Sequence, residues 1–495
     1  MRHLLAIATL GWGLGLGLAL GPATAAAAAA SSTAIDDFIT AEMPASGAPG
    51  VAYAVITDGE IGEEGAHGVM RVDSEDPVTT HTPFVIGSIS KSFTALAVMQ
   101  LVEAGAVDLD SPAGDYVDTL AGTPAGAPTV RELLSHTSGF STLQGNSGHT
   151  ESTGSPDDLA NAVAALAAVE PAYAPGTTWE YSNTNYQILG ALIEDVTGTA
   201  YGTYVTEHIL DPVGMADSFV ADGEVHPEIA TGHTPLFWTK RPLAENTTDI
   251  ATAPQGGIVA SAHDVALYLA MMMNGEDDVL SADGKALMMS PAGDVSPFYG
   301  FGWYVDTSDG TVGHTGSTPG VETQATMVPA RDDAVVVLVN AGSGIGFGET
   351  TQLRYGVTAI ALDLDYDGEG SRWAQKALFL GLCLAPFVYL ASMAWAWRKR
   401  AAVRAKRHAG FAGLFSLWFP LLTTAVAAWV LLVLVPGFMG APLGTVRLFQ
   451  PDMALATTAT AVGGVLWAAL RLAIAYTGRP ASEPSVEPDV RSATG

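Results

Sequence analysis

SISKSFTALAVMQLVEAG, residues 88–105, is the stretch on which the reading of this chain turns. It is an uninterrupted apolar-rich run that ends on a glycine, which predicts a helix beginning at Ser88 and stopping at Gly105. Ser88 and Lys91 are three residues apart, so both side chains fall on one face of that helix. A serine hydroxyl is a poor nucleophile until a neighbouring base takes its proton, and a lysine can be that base only when burial lowers its pKa. At the helix N-terminus, unpaired N–H groups and the positive end of the dipole also favour developing negative charge. An isolated S-x-x-K reads first as an ordinary N-cap and a solvated lysine. Here the surroundings matter: only six lysines and arginines lie between Gly50 and Met327, so one placed in a mostly apolar helix is not surface decoration. Two more motifs follow in order, Tyr181-Ser182-Asn183 and His314-Thr315-Gly316. Together the three describe a serine hydrolase that works through an acyl-enzyme.

The rest of the chain frames that segment. It has 495 residues, 48% of them hydrophobic, more than a soluble enzyme needs, and the excess sits at the two ends. Residues 1–25 have a basic start (Arg2, His3), an apolar run over 4–20 and Ala23-Thr24-Ala25, which reads as a cleaved signal peptide, an uncleaved anchor being the alternative. Residues 377–397, 411–435 and 453–476 are each long and apolar enough to cross a bilayer. Between the first two lies RKRAAVRAKRH (398–408), with six basic residues and no acid, which the positive-inside rule places in the cytoplasm. The segment before the spans is then extracytoplasmic, as the signal peptide independently predicts, and the tail 477–495 is cytoplasmic. Arg471 would have to snorkel out of the third span, and Pro420 would kink the second.

Residues 31–370 carry 47 acidic against 8 basic side chains, a net −39, which argues against a nucleic-acid partner. A surface this acidic suits a salty exterior, where self-repulsion is screened. The single cysteine, Cys383, lies in the first span, so the exported part has neither a disulfide nor a thiolate metal site. Its histidines, among them His136, His149, His208, His226, His233 and His263, show no H-x-x-x-H spacing. Gly342 to Gly348 has no G-x-G-x-x-G register, and Gly316 to Gly320 is not G-x-S-x-G. No metal or cofactor is expected.

Along the exported part, VAYAVITDGEIG (51–62) predicts a strand turning at Asp58-Gly59 into a second strand near His67. The middle is helical, over 158–169 and over YQILGALIEDVTG (186–198), which leaves Tyr181 and Asn183 on the loop before a helix. FGWYVD, TVGHTG, ETQATMVP and DAVVVLVN then read as strands, followed by a helix over about 349–364. Strands from both ends and helices from the middle make an α+β domain: one antiparallel sheet flanked by helices, with a helical insertion.

With these residues in view, the chain resembles the serine β-lactamase and penicillin-binding protein superfamily, on the branch of class C β-lactamases, secreted DD-carboxypeptidases and related esterases. The resemblance covers about residues 33–362, and VDLDSP (107–112), LLSHTSG (133–139) and APQGGIVASAHDVALYL (253–269) are similar to recurrent segments of that branch. It implies a β-lactamase/transpeptidase-like fold over 33–364, Ser88 as the acylated nucleophile, and Lys91 and Tyr181 as a shared proton-transfer pair. The backbone N–H groups of Ser88 and Ser317 would form the oxyanion hole, and Asn183, His314, Thr315 and Gly316 would hold the substrate. Many relatives have lysine where this chain has His314, and no Lys or Arg occurs anywhere from 286 to 330 to meet a substrate carboxylate. The expected activity is hydrolysis of an ester, amide or peptide bond in a small-molecule or peptide substrate, of esterase or D-amino-acid peptidase type, and the missing cation favours an uncharged reacting end. The alternative is a penicillin-binding sensor that is acylated and deacylates slowly.

Overall fold

The computed structural model describes residues 26–147 and 154–477. The expected signal peptide and nearly all of the expected cytoplasmic tail lie outside the described residues. The chain divides into one unit of Met1–Phe379 with Val435–Ala454 and a second of Leu380–Leu434 with Leu455–Gly495.

The first unit is organised by an antiparallel sheet of β1 (Gly50–Thr57), β2 (Glu60–Gly68), β3 (Tyr304–Asp306), β4 (Thr311–Thr318), β5 (Val321–Val328) and β6 (Asp333–Val339). Its strand order is β2-β1-β6-β5-β4-β3, so the N-terminal hairpin closes onto the C-terminal strands through β1 and β6, as the sequence suggests. Asp58 and Gly59 both have positive φ, 51° and 80°, the turn geometry whose twist matches a two-residue hairpin. β1 and β6 are apolar at nearly every position because both faces of the sheet are covered. Ala52, Ala54, Ile56, Val336 and Leu338 face the helical body, while Val51, Tyr53, Val55, Val335 and Val337 face the opposite layer. That opposite layer consists of α1 (Ala26–Ser46) and α5 (Thr351–Leu362), at the two ends of the domain. The sequence reading assigned no element to 26–46, yet Ile35 and Ile39, four residues apart, are fully buried on the sheet.

On the other face lie α2 (Ser90–Glu103), α3 (Asn183–Thr197) and α4 (Ala262–Met273). α2 has no polar stripe because it runs through the core, with Phe93, Leu96 and Val98 fully buried. The helix expected from Ser88 begins instead as a 3-10 turn, Gly87–Ile89, and becomes α-helical at Ser90. Asn183, expected in a loop, is the first residue of α3, since Ser182 with extended φ and ψ is its N-cap.

Among the described residues three helices are long and apolar enough to cross a membrane, Trp373–Arg398, Gly410–Phe438 and Pro451–Thr477, and the second unit holds most of them. Arg471, in the third of these helices, donates to the Ser416 carbonyl at 2.9 Å and lies over the Trp467 ring.

Candidate active site

The Gly87–Ile89 turn is held against β4 by two glycines. Gly87 adopts φ +59°, and a Cβ there would stand 2.6 Å from the Ser317 nitrogen. Gly316 lies opposite, where a Cβ would stand 2.0 Å from the Ile86 carbonyl oxygen. Any larger residue at either position would wedge the turn off the strand. Thr323, paired with Gly316 across β5 and β4, donates its hydroxyl to that same Ile86 carbonyl at 2.7 Å. Ser88 and Ser317 are thereby placed side by side at the head of α2.

One helical turn on, Lys91 is fully buried. Its Nζ lies 2.8 Å from Asn183 Oδ1, 2.7 Å from the Gln255 carbonyl oxygen and 3.1 Å from Ser88 Oγ. Burial, with no carboxylate beside it, holds the lysine pKa well below its ordinary value. A neutral amine has two N–H groups and one lone pair. The two carbonyls can only accept, so they take the N–H groups and leave the lone pair for the Ser88 hydroxyl. Tyr181, whose ring centre lies 4.9 Å from Lys91 Nζ, donates its OH to Ser88 Oγ at 2.8 Å, and burial drives its pKa well above the usual phenol value. Burial thus favours the neutral form of both groups.

Tyr181 is positioned by a residue that the sequence reading left without a role. His136 has φ +59°, rare outside glycine. From that conformation its carbonyl accepts the Glu180 N–H at 3.0 Å and its Nδ1 accepts the Ser182 N–H at 3.2 Å. The peptide is thus gripped on both sides of Tyr181, whose ring lies 4.3 Å from the imidazole. Asn185 Nδ2 approaches the same Nδ1 at 3.0 Å, and burial above all holds His136 well below the usual histidine pKa.

Ser88, Tyr181, Asn183, His314, Thr315 and Ser317 line one cleft of about 860 Å³. Gly316 lies under the nucleophile turn and is not part of the cleft lining. His314 Nδ1 donates to the Thr315 carbonyl at 2.7 Å, so Nε2 is the acceptor facing the Tyr299 hydroxyl at 3.3 Å. Burial, then Lys91, pushes its pKa down to about 3, so the ring adds no positive charge at pH 7. No Lys or Arg is among the residues that line the cleft, whereas Glu180, Glu245 and Asp249 are. The Asn183 amide, expected to face substrate, also serves the lysine: its oxygen accepts from Nζ and its Nδ2 donates to Asn146 Oδ1 at 2.8 Å. Among the described residues, no group of three or more His, Cys, Asp or Glu could hold a metal ion.

A family model described as beta-lactamase matches residues 35–358. Penicillin-binding protein 4 of Amycolatopsis lactamdurans is 32% identical over 324 residues, which cover 60% of this chain and 82% of that protein. Among solved structures, the octameric penicillin-binding protein homologue from Pyrococcus abyssi superposes with a TM-score of 0.57 at 27% identity, covering 67% of this chain and 78% of that one. EstCE1, a hydrolase with promiscuous acyltransferase activity, has a TM-score of 0.58 over 68% of this chain and all of its own, but at 19% identity the likeness is one of fold.

Proposed function

The chain belongs to the beta-lactamase family of serine hydrolases, and on that premise we propose that it is a membrane-anchored, extracytoplasmic enzyme that cleaves an uncharged ester or amide through an acyl-Ser88 intermediate. The observation that carries this reading is that Ser88 Oγ lies within hydrogen-bonding distance of both Lys91 Nζ and Tyr181 OH, at 3.1 and 2.8 Å.

Ser88 Oγ attacks the substrate carbonyl as its proton passes to the lone pair of Lys91. The carbonyl oxygen becomes an oxyanion between the N–H groups of Ser88 and Ser317, each such donor contributing about 3–4 kcal/mol to the transition state. Tyr181 gives its proton to the leaving group as the scissile bond breaks, and the lysine ammonium returns a proton to the phenolate, so both residues end neutral. Water then attacks the acyl-Ser88 ester, loses its proton to the same pair, and releases the acid with Ser88 restored.

Charge supports an uncharged reacting end. A substrate carboxylate would enter a cleft with three acidic residues in its wall, a neutral His314 and no Lys or Arg. In this reading residues 33–364 are the hydrolase domain and 1–25 a signal peptide. The basic stretch 398–408 and the tail 477–495 lie in the cytoplasm.

The test is intact-mass analysis and turnover, for wild type and Ser88→Ala, with a fluorogenic neutral ester and separately with a penicillin. Ser88-dependent ester turnover is the expected result. A long-lived penicillin adduct without ester turnover would instead identify a sensor, and no adduct or turnover with either would sink the acyl-enzyme reading.

A further inference from the structure

The cleft has a wall that the hydrolase domain expected from sequence does not contain. Besides the residues around Ser88, it is lined by Phe438, the last residue of the second apolar span, and by Met439, Gly440, Val446, Leu448 and Phe449 from the chain that joins that span to the third. That connection, within Val435–Ala454, belongs to the same compact unit as the active site. Two crossings return a chain to the side it left, so a connection between the second and third spans is on the side of whatever precedes the first.

Several contacts fix this wall. The short helix α6 (Leu443–Phe449) donates the Thr445 hydroxyl to the Asn146 carbonyl at 2.9 Å, and Asn146 Nδ2 donates to the Gly440 carbonyl at 2.8 Å. Asn146 Oδ1 in turn accepts from Asn183 Nδ2, and Asn183 Oδ1 from Lys91 Nζ, each at 2.8 Å. A continuous hydrogen-bonded path therefore runs from the inter-span connection to the amine beside Ser88. Further along, the Phe237 N–H binds Asp452 Oδ2 at 2.7 Å, and Val446, Met453 and Ala454 pack with Ile345. The surface it presents is apolar: Phe438 and Leu448 are 63% and 38% exposed, and Leu143 on the facing side is 39% exposed. Exposed apolar side chains gathered at the mouth of a cleft mark a binding surface for an apolar group.

We infer that residues 437–450 form the outer wall of the active site and select substrates whose uncharged ester or amide carries a long apolar chain, which lies along Phe438, Met439 and Leu448. The inference rests on the acyl-enzyme reading above and names the substrate class. The cleft supplies no cation for an anionic substrate and an apolar rim for a hydrocarbon one. In the expected orientation both ends of this wall continue into spans, so an amphiphile dissolved in the membrane is the nearest source of such a chain.

The full-length chain in detergent micelles would be assayed with p-nitrophenyl acetate, butyrate and octanoate, as wild type and as Phe438→Ser with Leu448→Ser. The wild type should favour octanoate over acetate in kcat/KM, and the double variant should lower that ratio by about tenfold or more. A small fluorophosphonate that labels Ser88 shows whether the variant is folded. Independently of any variant, an alkyl phosphonate with a terminal diazirine would be attached to wild-type Ser88 and photolysed, and cross-links should map to residues 437–450. An unchanged ratio in a labelled variant, or cross-links mapping only elsewhere, would overturn the inference while leaving the hydrolase reading intact. Absence of Ser88-dependent ester turnover in the wild type would overturn the hydrolase reading itself.

Discussion

Replacing Gly87 by alanine tests whether the nucleophile turn must touch β4. The added methyl group would stand 2.6 Å from the Ser317 nitrogen and 3.1 Å from Gly316 backbone atoms. That is roughly 0.8 Å short of ordinary van der Waals contact, and both partners are backbone, so turn and strand must separate. The two proposed oxyanion donors sit on opposite sides of that contact, at Ser88 and Ser317. Moving one of them by the better part of an ångström removes it as a donor, which costs about 10²–10³ in rate. A separate penalty comes from φ +59°, about 1–2 kcal/mol of stability for a residue with a Cβ.

The two effects can be told apart with Gly105→Ala. Gly105 ends α2 with φ +71° and has nothing within 4 Å of its would-be Cβ. That variant should lose similar stability and keep its kcat/KM, whereas Gly87→Ala should lose both. The assay is kcat/KM for a neutral ester beside a thermal melt of each variant. If Gly87→Ala hydrolyses the ester within about threefold of wild type, the oxyanion hole does not depend on this contact and the reasoning fails.

Three other expectations follow from the same geometry. Because burial depresses the Lys91 pKa, kcat/KM should climb with pH through that lowered value and level off well below about 10.4, while Lys91→Arg, always charged, should be at least about 10² slower with no recovery at high pH. The linked stability has a definite sign: between the lowered folded pKa and the unfolded one, the unfolded chain binds the extra proton, so wild type should gain stability over Lys91→Met as pH rises, and a flat difference in denaturant titrations would put a charged lysine in the site. The buried Arg354–Glu322 pair, 2.7 Å apart, pins α5 to β5, and Arg354→Met should cost about 3–5 kcal/mol in urea unfolding, against about 0–1 for the exposed Arg131–Asp110 pair. Finally, the net −39 of residues 31–370 should make the melting temperature rise steeply from dilute buffer to molar salt, and equal stability in both would remove the case for a saline exterior.

What sequence could reveal here was what is local. Ser88 and Lys91 are read together because a helix converts a spacing of three into a shared face, and the Asp58-Gly59 hairpin because two positive-φ positions in a row need such residues. The run DAVVVLV was legible as a strand although it alternates poorly, since β6 is buried on both faces. Groups that act through backbone atoms left no trace. Gln255 contributes its carbonyl to Lys91, which any residue type could do, and it lands there because the Thr94 hydroxyl and Ser90 Oγ tie 254–258 to α2. His136 was visible only as one histidine among several, because its task depends on a positive φ that composition does not announce.

The inter-span connection was hidden for a different reason. Hydropathy divides a chain by solvent, so residues 436–452 were counted as a link between membrane segments rather than as part of the exported domain. Their apolar side chains looked like the frayed ends of spans. In the folded unit the same side chains face the cleft that holds Ser88, and Gly440 accepts a hydrogen bond from Asn146, two partners away from the lysine. An apolar wall and a membrane end have the same composition, so only tertiary contact separates them. A domain cut after residue 364 would accordingly keep Ser88, Lys91 and Tyr181 while losing one side of the cleft and the acceptor that orients Asn146. If the wall selects the substrate, such a fragment would remain open to small reactive esters and lose its preference among acyl chains, so substrate screens are informative only on the chain with its spans.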